Sequence, residues 1–369
     1  MRRHRWRDFD RSMTMTTIIL IGFGVVAVWS ARGGGALSLN NSAVKQALFG
    51  VVGLAMLVVI ASLDYRLLGS LAWIVYLGAV AALAIVLVVG VDIAGSRRWF
   101  NFGFTTIQPS EFGKVATLIA LAWFISSRGA GMREGGNFFV SLIIVAVPAA
   151  LVFIEPDLGS ALCYVAIWLA MMLVANVRKQ HLLAFAVAVG PALLLAWEFV
   201  FKDYQRRRLL IAFHPERDSA GDGYNIIQAK ISVGSGGLFG QGLQGGTQSR
   251  LGLLKVRESD FIFAHVSGMF GFVGMVALII CYGVLLWRCI RAAETAKDQF
   301  GQLVAIGFAG LLFFQTFVNI GMNLGVMPVT GITLPFVSQG ASSVVAFLIA
   351  QGVVQSVLMR RRRLGFQSR

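Results

Sequence analysis

The sequence predicts an all-α membrane protein, a polytopic bundle of about ten transmembrane helices with a large extracytoplasmic loop before the eighth. Three observations predict it. Of 369 residues, 57% are hydrophobic and only 13% are charged, where a soluble chain carries about 25% charged residues. Apolar runs near the ~20 residues needed to cross the hydrocarbon core recur from one end of the chain to the other. Basic residues gather in the tails and in the short connections between those runs, which is how topology is written in a membrane protein.

The first run, 13–31, follows Arg2, Arg3, Arg5 and Arg7. It is basic in front like a signal peptide, but it is long enough to span and lacks a clear small-residue cleavage site, so it reads as a retained helix. Runs at 46–63 and 67–91 come next. The run at 111–127 begins after Pro109 and Ser110, residue types that start helices. Runs at 137–154 and 182–201 contain Pro148 and Pro191, each of which removes a backbone donor and bends its helix. Between them lies 158–176. The last three runs are 261–287, 303–323 and 336–359. The whole chain, 1–369, reads as a single membrane domain, and 202–259 is its one large loop. No inverted repeat relates the two halves, which disfavours the commonest secondary-transporter designs.

An even number of spans puts both tails on one side. The tails carry Arg2, Arg3, Arg5, Arg7 and Arg11 at one end and Arg360 to Arg363 with Arg369 at the other. The same side collects Arg66, Arg128, Arg133, Arg178, Lys179, Arg288, Arg291 and Lys297. The opposite short loops hold only Arg32, Lys45, Arg97 and Arg98. That asymmetry predicts cytoplasmic termini. The loop 202–259 carries nine basic residues on the outer side, but long loops have little say in topology.

The net charge of +15 is therefore topological, and nucleic-acid binding is excluded as its explanation. Cys163, Cys281 and Cys289 form neither a disulfide framework nor a zinc spacing. His4, His181, His214 and His265 are scattered, and no nucleophile elbow or ATP-binding motif is present. What remains is polar chemistry at the outer ends of spans, where a charge must pair or line a wet cavity.

Four segments qualify. The first runs from Gly95 through Arg97 and Arg98 to Gln108, Glu111 and Lys114. Glu111 and Lys114 share a helix face and read either as a structural ion pair or as one wall of a cavity. The second contains Glu155 and Asp157, with Asp157 either a helix cap or a cavity carboxylate. The third is the long loop, which opens on Arg206-Arg207-Arg208, suited to phosphate. It continues through a glycine-rich stretch, Gly234 to Gly240, that makes tight turns or an anion cradle. Asp260 follows, at the mouth of span eight, with capping as its alternative role. The fourth runs from Asn319 and Asn323 through Pro328 and Pro335 to Gly340. Such irregular backbone is tolerated at membrane depth where it is protein-buried or lines a cavity.

The segments GSRRW (95–99), QPSEFGK (108–114), EPDLGSA (155–161), GYNIIQAKISVGSGGLFGQGL (223–243), GTQSRL (246–251), ESDFIFA (258–264) and NLGVMPVTGITLPFVSQGASS (323–343) together resemble the SEDS family (shape, elongation, division and sporulation). They fall in family order along most of the chain, and 223–231 and 246–249 sit nearer to its elongation branch than to its division branch. The resemblance implies a peptidoglycan glycosyltransferase of the bacterial cytoplasmic (inner) membrane. Such an enzyme polymerises lipid II, a disaccharide-pentapeptide on undecaprenyl pyrophosphate, at the extracytoplasmic face. Carried over by motif, Asp260 matches the family's essential aspartate and is the expected catalytic base. Arg98, Gln108, Glu111, Lys114 and Asp157 match positions lining its cavity, and Lys230, Gln248 and Ser338 in the same motifs complete the expected substrate-binding set.

The resemblance further implies an inverting transfer in which Asp260 deprotonates the acceptor 4-hydroxyl and pyrophosphate leaves. Basic residues or a divalent cation such as magnesium or manganese would stabilise it. It implies as partner a class B penicillin-binding protein, a transpeptidase docking through its single transmembrane helix, together with other membrane proteins of the elongation complex. Two departures stand out. The Glu-Glu pair that usually follows ESDFIFA is replaced by Gly268 and Met269, and the Ser-Tyr-Gly-Gly-Ser pattern is Ser338-Gln339-Gly340-Ala341-Ser342. If the missing carboxylates assist catalysis, this member is slower or regulated differently. The alternatives to an enzyme are a lipid II flippase, which needs polar groups along its whole path, and a non-catalytic scaffold.

Overall fold

An apolar run in hydrocarbon must satisfy its own backbone, and the helix is how a single segment does so. A computed structural model describes residues 6–35, 38, 41–93, 96–201, 203–218, 221–243 and 245–361. Arg2, Arg3, His4, Arg5, Gly95, Lys202, Arg362, Arg363 and Arg369, all weighed above, lie outside these residues.

The described chain forms α1 (Arg11–Ala31), α2 (Ser42–Ser62), a short α3 (Tyr65–Ser70) and α4 (Ala72–Val89). A small antiparallel sheet follows, made of β1 (Val91–Ile93), β2 (Ser96–Asn101) and β3 (Thr106–Ile107). Next come α5 (Pro109–Arg128), α6 (Gly135–Ile154), α7 (Leu158–Val174) and α8 (Lys179–Phe199). The long loop contains α9 (Asp203–Phe213), α10 (Asp222–Ser235) and α11 (Thr247–Arg250). The chain closes with α12 (Ile262–Thr295), α13 (Gln299–Asn323) and α14 (Ala341–Leu358). Among the described residues nine helices are long and apolar enough to cross a membrane, and the 17-residue α7 is the shorter tenth. Each of the ten corresponds to a predicted run, so the chain is a polytopic helical membrane protein.

Boundaries differ where polar caps extend a helix past its apolar run. Asn41 caps α2 by accepting from the Ala43 amide, so α2 starts four residues before the predicted 46. Asp298 likewise starts α13 at Gln299, where the apolar pattern begins at 303. Residues 336–340 stay non-helical, with Phe336 at a φ of 67°, and α14 begins only at Ala341. The sheet and the three helices inside the long loop have no counterpart among the predicted elements.

α14 is the buried centre and packs most extensively on α2. The approach is close: a Cβ at Gly352 would stand 2.9 Å from the Leu57 carbonyl oxygen, the small-residue contact typical of membrane bundles. Pro148 and Pro191 do lie inside α6 and α8. α8 stands at the edge with none of its described side chains fully buried. The two described ends of the chain meet at one end of the bundle. There Asp10 exchanges hydrogen bonds with Gln355 at 3.0 and 2.9 Å, and Arg361 pairs with Asp8 at 3.1 Å.

The glycine-rich stretch has a structural use. α12 breaks at Gly271, whose φ of 63° interrupts its hydrogen-bond ladder. The turn at 236–242 completes the break: Gln241 and Gly242 amides donate to the Gly268 and Met269 carbonyls at 2.9 and 3.1 Å. Phe272 and Val273 amides donate in return to the Gly237 and Leu238 carbonyls at 2.8 and 3.1 Å. Two backbones this close leave no room for side chains, and a Cβ at Gly240 would lie 2.1 Å from the Met269 oxygen. Gly240 and Gly242 both have positive φ, but nothing lies within 4 Å of a Cβ at Gly242. Gly242→Ala therefore carries only the left-handed backbone cost of ~1–2 kcal/mol, while Gly240→Ala adds a collision. Thermal unfolding in detergent should show Gly240→Ala clearly less stable than Gly242→Ala; equal melting temperatures would contradict this docking.

Candidate active site

At the end of the bundle away from the two described chain ends, a cavity of about 1260 Å³ opens between the hairpin, the first turns of α2, α5 and α7, and α9. The segment 256–260 and the irregular chain from 328 to 343 complete it. Asp157 is the N-cap of α7, its Oδ1 accepting from the Ser160 amide at 3.0 Å. Its Oδ2 accepts from Arg98 at 3.1 Å and from Gln108 Nε2 at 3.2 Å. Both readings of Asp157, cap and cavity carboxylate, thus hold together. Arg98 also lies 4.5 Å from the centre of the Trp99 ring, a cation–π contact that helps to hold its guanidinium in place.

Glu111, in the first turn of α5, faces the cavity and accepts from Lys114 Nζ at 2.8 Å. Lys114 is only 1% exposed and lies below the lining, so the pair forms part of the floor. The other oxygen of Glu111, Oε2, has no hydrogen-bond partner among the described residues. Of the three consecutive arginines, Arg208 lines the cavity. Arg207 pairs with Asp218 at 2.9 Å and Arg206 donates to the Glu198 carbonyl at 2.7 Å.

Asp260 lines the cavity immediately before α12 and is half-buried. The N-cap of α12 is Phe261, without a side-chain cap bond, so the capping alternative does not describe Asp260. Its carbonyl accepts from both Asn319 and Asn323 side chains at 3.1 and 3.0 Å. Protein packed around the carboxyl raises its pKa above the usual carboxylate value, and the Ser259 hydrogen bond and the charge of Arg98 partly offset that rise.

Three predicted substrate residues lie outside the lining. Lys230 is exposed on α10, against Gly325. Gln248 is half-buried on α11. Ser338 is buried behind the cavity, where its hydroxyl donates to the Ser259 carbonyl at 2.6 Å and accepts from the Leu334 amide at 2.9 Å. The bond to Ser259 fixes the chain beside Asp260. Sequence reasoning missed the α2 side of the lining, Ser42, Lys45 and Gln46, where Ser42 Oγ accepts from Gln339 Nε2 at 3.1 Å. The signal is hidden in the sequence because the apolar run starts at residue 46, which leaves Lys45 looking like a loop charge.

At the positions that depart from the family pattern, Gly268 lies close against the chain leading into α11, where a Cβ would stand 3.0 Å from the Gly246 amide nitrogen and 3.1 Å from Ser232 Oγ. Met269 is buried. His265 is fully buried, its ring nitrogens bonded to Ser249 Oγ at 2.7 Å and Ser30 Oγ at 3.1 Å. Among the described residues no three His, Cys, Asp or Glu side chains group closely enough to hold a metal ion. The donor set therefore does not fit a protein-caged cation.

Fold and cavity together define a polytopic membrane protein equipped for acid–base chemistry at one membrane face, with carboxylates, guanidiniums and amides converging on a space large enough for sugars. Residues 10–363 match the FtsW/RodA/SpoVE family, described as cell cycle protein, and the chain belongs to that family, the SEDS proteins. It is 33% identical over 355 residues to a peptidoglycan glycosyltransferase MrdB of Escherichia coli K12, covering 96% of this chain and 95% of that one. It is 34% identical over 360 residues to stage V sporulation protein E of Bacillus subtilis 168, covering 94% and 96%. Among solved structures it resembles a chain of a peptidoglycan synthase complex, solved to show the structural coordination of polymerization and crosslinking. The TM-score is 0.82 at 31% identity, covering 96% of this chain and 99% of that one. The crystal structure of Thermus thermophilus rod shape determining protein RodA aligns with a TM-score of 0.71 at 29% identity, covering 96% and 98%.

Glu155, just before Asp157, is 1% exposed and neither carboxyl oxygen has a partner among the described residues. Burial, reinforced by the negative charge of Asp157, pushes its pKa from 4.5 up to about 8. A raised carboxyl pKa favours folding fully below the unfolded value, and that contribution is lost as pH rises toward the folded value. Glu155→Gln, uncharged throughout, should therefore match the wild type near pH 4.5 and melt progressively higher than it as pH approaches about 8. A constant difference in melting temperature across that window would show that Glu155 is not held neutral.

Proposed function

We propose that this chain polymerises lipid II into β-1,4-linked glycan strands, with Asp260 as the general base. The observation that carries this reading is Asp260 itself: a carboxylate with its backbone clamped by two asparagines, open to a polar cavity that also holds Arg98, Arg208 and Asp157. The Escherichia coli relative is likewise named a peptidoglycan glycosyltransferase.

The acceptor GlcNAc places its 4-hydroxyl within hydrogen-bond reach of the Asp260 carboxylate, which takes the proton as the oxygen attacks the donor's anomeric carbon. The bond from that carbon to the α-linked pyrophosphate breaks on the opposite face, so the new linkage is β and the configuration inverts. Undecaprenyl pyrophosphate leaves with the electron pair, and no second carboxylic acid is required because it is a good leaving group. Arg98 and Arg208 supply positive charge within the same cavity. No step above depends on a divalent cation; were one bound, it would supply positive charge to the leaving pyrophosphate, the part that Arg98 and Arg208 take here.

In this reading both termini are cytoplasmic and the cavity opens at the extracytoplasmic face of the bacterial inner membrane. The chain serves elongation and rod shape, beside a class B penicillin-binding protein whose transmembrane helix packs on the bundle. The resemblance to a chain from a peptidoglycan synthase complex supports such a partner. The clustering of polar lining residues at one end of the bundle favours chemistry over flipping.

Purified protein given labelled lipid II should yield polymer on a gel. Asp260→Asn, which keeps shape but not basicity, should lower the rate by about 10²–10⁴-fold with the same melting temperature. Polymer at wild-type rate in that variant would remove Asp260 from the chemistry. Because the base acts deprotonated and its pKa is raised, activity should fall on the acid side above the ordinary carboxylate range. Arg98 lowers that pKa, so Arg98→Ala should move the acid limb of the kcat/KM profile to higher pH. A limb that stays in place or moves down would mean that another group titrates.

A further inference from the structure

Asp260 ends a stretch that no helix or strand holds. Residues 254–260 form bends and turns between α11 and α12. Within them Val256 has a φ of 52°, a conformation that a β-branched residue rarely adopts. Such a conformation persists only where its surroundings fix it. The two asparagines of α13 hold the Asp260 carbonyl, at the far end of the stretch. The near end is held by a different element, the last turn of α1.

Ser30, Ala31 and Arg32 tie to this region in succession. Arg32 pairs with Glu258. The Ala31 carbonyl accepts from Arg257 Nε at 2.7 Å, and Arg257 Nη1 donates to the Ser249 carbonyl at 2.8 Å. Ser30 and Ser249 are joined through His265, near the start of α12. Its Nε2 lies 3.1 Å from Ser30 Oγ and its Nδ1 2.7 Å from Ser249 Oγ. The Ser30 hydroxyl donates to the Leu243 carbonyl, so toward His265 it can only accept, which puts the ring proton on Nε2. In the neutral ring Nδ1 then accepts from the Ser249 hydroxyl. All three side chains are buried, and each ring nitrogen has a partner of the right kind.

We infer that His265 is a positioning residue: together with Arg257 it fastens the turn at 256–260 to the end of α1, and so holds the Asp260 carboxylate at its place in the cavity. The imidazole is too deeply buried to touch a substrate and takes no proton from one. Its effect on rate rests on the polymerase reading above. The fastening itself does not depend on what the cavity binds.

Combining Ser30→Ala, Ser249→Ala and His265→Leu removes the three side-chain groups together. None of them is left as a buried orphan, so the melting temperature should stay close to that of the wild type. Amide hydrogen exchange of the full chain in nanodiscs should become about tenfold faster over 254–261 in this variant and stay unchanged in α5. With lipid II as substrate, kcat should fall about 10–10²-fold, the scale of a small misplacement of a reacting group. KM should stay within about threefold. As single substitutions, His265→Gln, whose amide can still donate to Ser30, should keep more kcat than His265→Leu. A ring that only filled space would favour the apolar variant. Unchanged exchange over 254–261, or unchanged kcat in the triple variant, would overturn the inference. If the triple variant does not fold, the two single variants decide, and leucine at or above glutamine in kcat would overturn it. Faster exchange in the triple variant, alongside a wild type that fails to polymerise lipid II, would uphold the fastening and remove the polymerase reading instead.

Discussion

Asn319 and Asn323 lie one turn apart on α13, and both point their side-chain amides at the carbonyl of Asp260. The position of the carboxylate depends on that clamp. Asn319 also donates to the Ile332 carbonyl at 2.7 Å, and Asn323 Oδ1 accepts from the Ala264 amide at 3.0 Å. Two fully buried asparagines therefore join the start of α12, the irregular chain after α13 and the residue proposed as the base. Each would be costly to bury unsatisfied, so the arrangement holds only as a complete network. A general base needs its geometry before its pKa, and here the geometry comes from α13.

The same requirement, that no backbone group go unpaired at membrane depth, organises the rest of the cavity end. Ser338 supplies a donor and an acceptor to the chain around Asp260, and Gln46 donates to the Val337 carbonyl. The glycine turn at 236–242 fills the break in α12 at Gly271. Irregular backbone is present where carbonyls and amides must line a polar space, and side chains or a second backbone complete it. Regular helices make up the remaining thickness. The two ends of the bundle differ accordingly: ion pairs such as Asp10–Arg288 tie one end shut, and the other stays hollow.

Most of the fold was legible because hydropathy measures the same free energy that makes each span. Ten apolar runs correspond to ten helices, and the errors fall at ends such as Asn41 and Asp298, where a polar cap adds a turn that hydropathy cannot see. The hairpin at 96–107 and the helices within 203–250 were not legible, because short amphipathic elements at an interface have neither a long apolar run nor a clean period. Within the cavity, Arg98, Gln108, Glu111, Asp157 and Asp260 stand out as polar groups at span ends. Ser42, Gln46 and Gln339 do not, because neutral polar groups at helix starts look like ordinary caps until the fold brings α2 against the chain before α14, and Lys45 beside them reads as one more loop charge. Lys230, Gln248 and Ser338 come from motif membership alone, and the fold leaves all three outside the lining.

The central claim is that the Asp260 carboxylate is where a lipid-linked sugar meets the protein. The most direct measurement is a cryo-electron microscopy structure of the Asp260→Asn protein in nanodiscs with lipid II bound. The account predicts a saccharide in this cavity, with its 4-hydroxyl within about 3.2 Å of the residue-260 side chain. Lipid II bound with its sugars on another surface of the bundle, or in the cavity with no hydroxyl near residue 260, would contradict it.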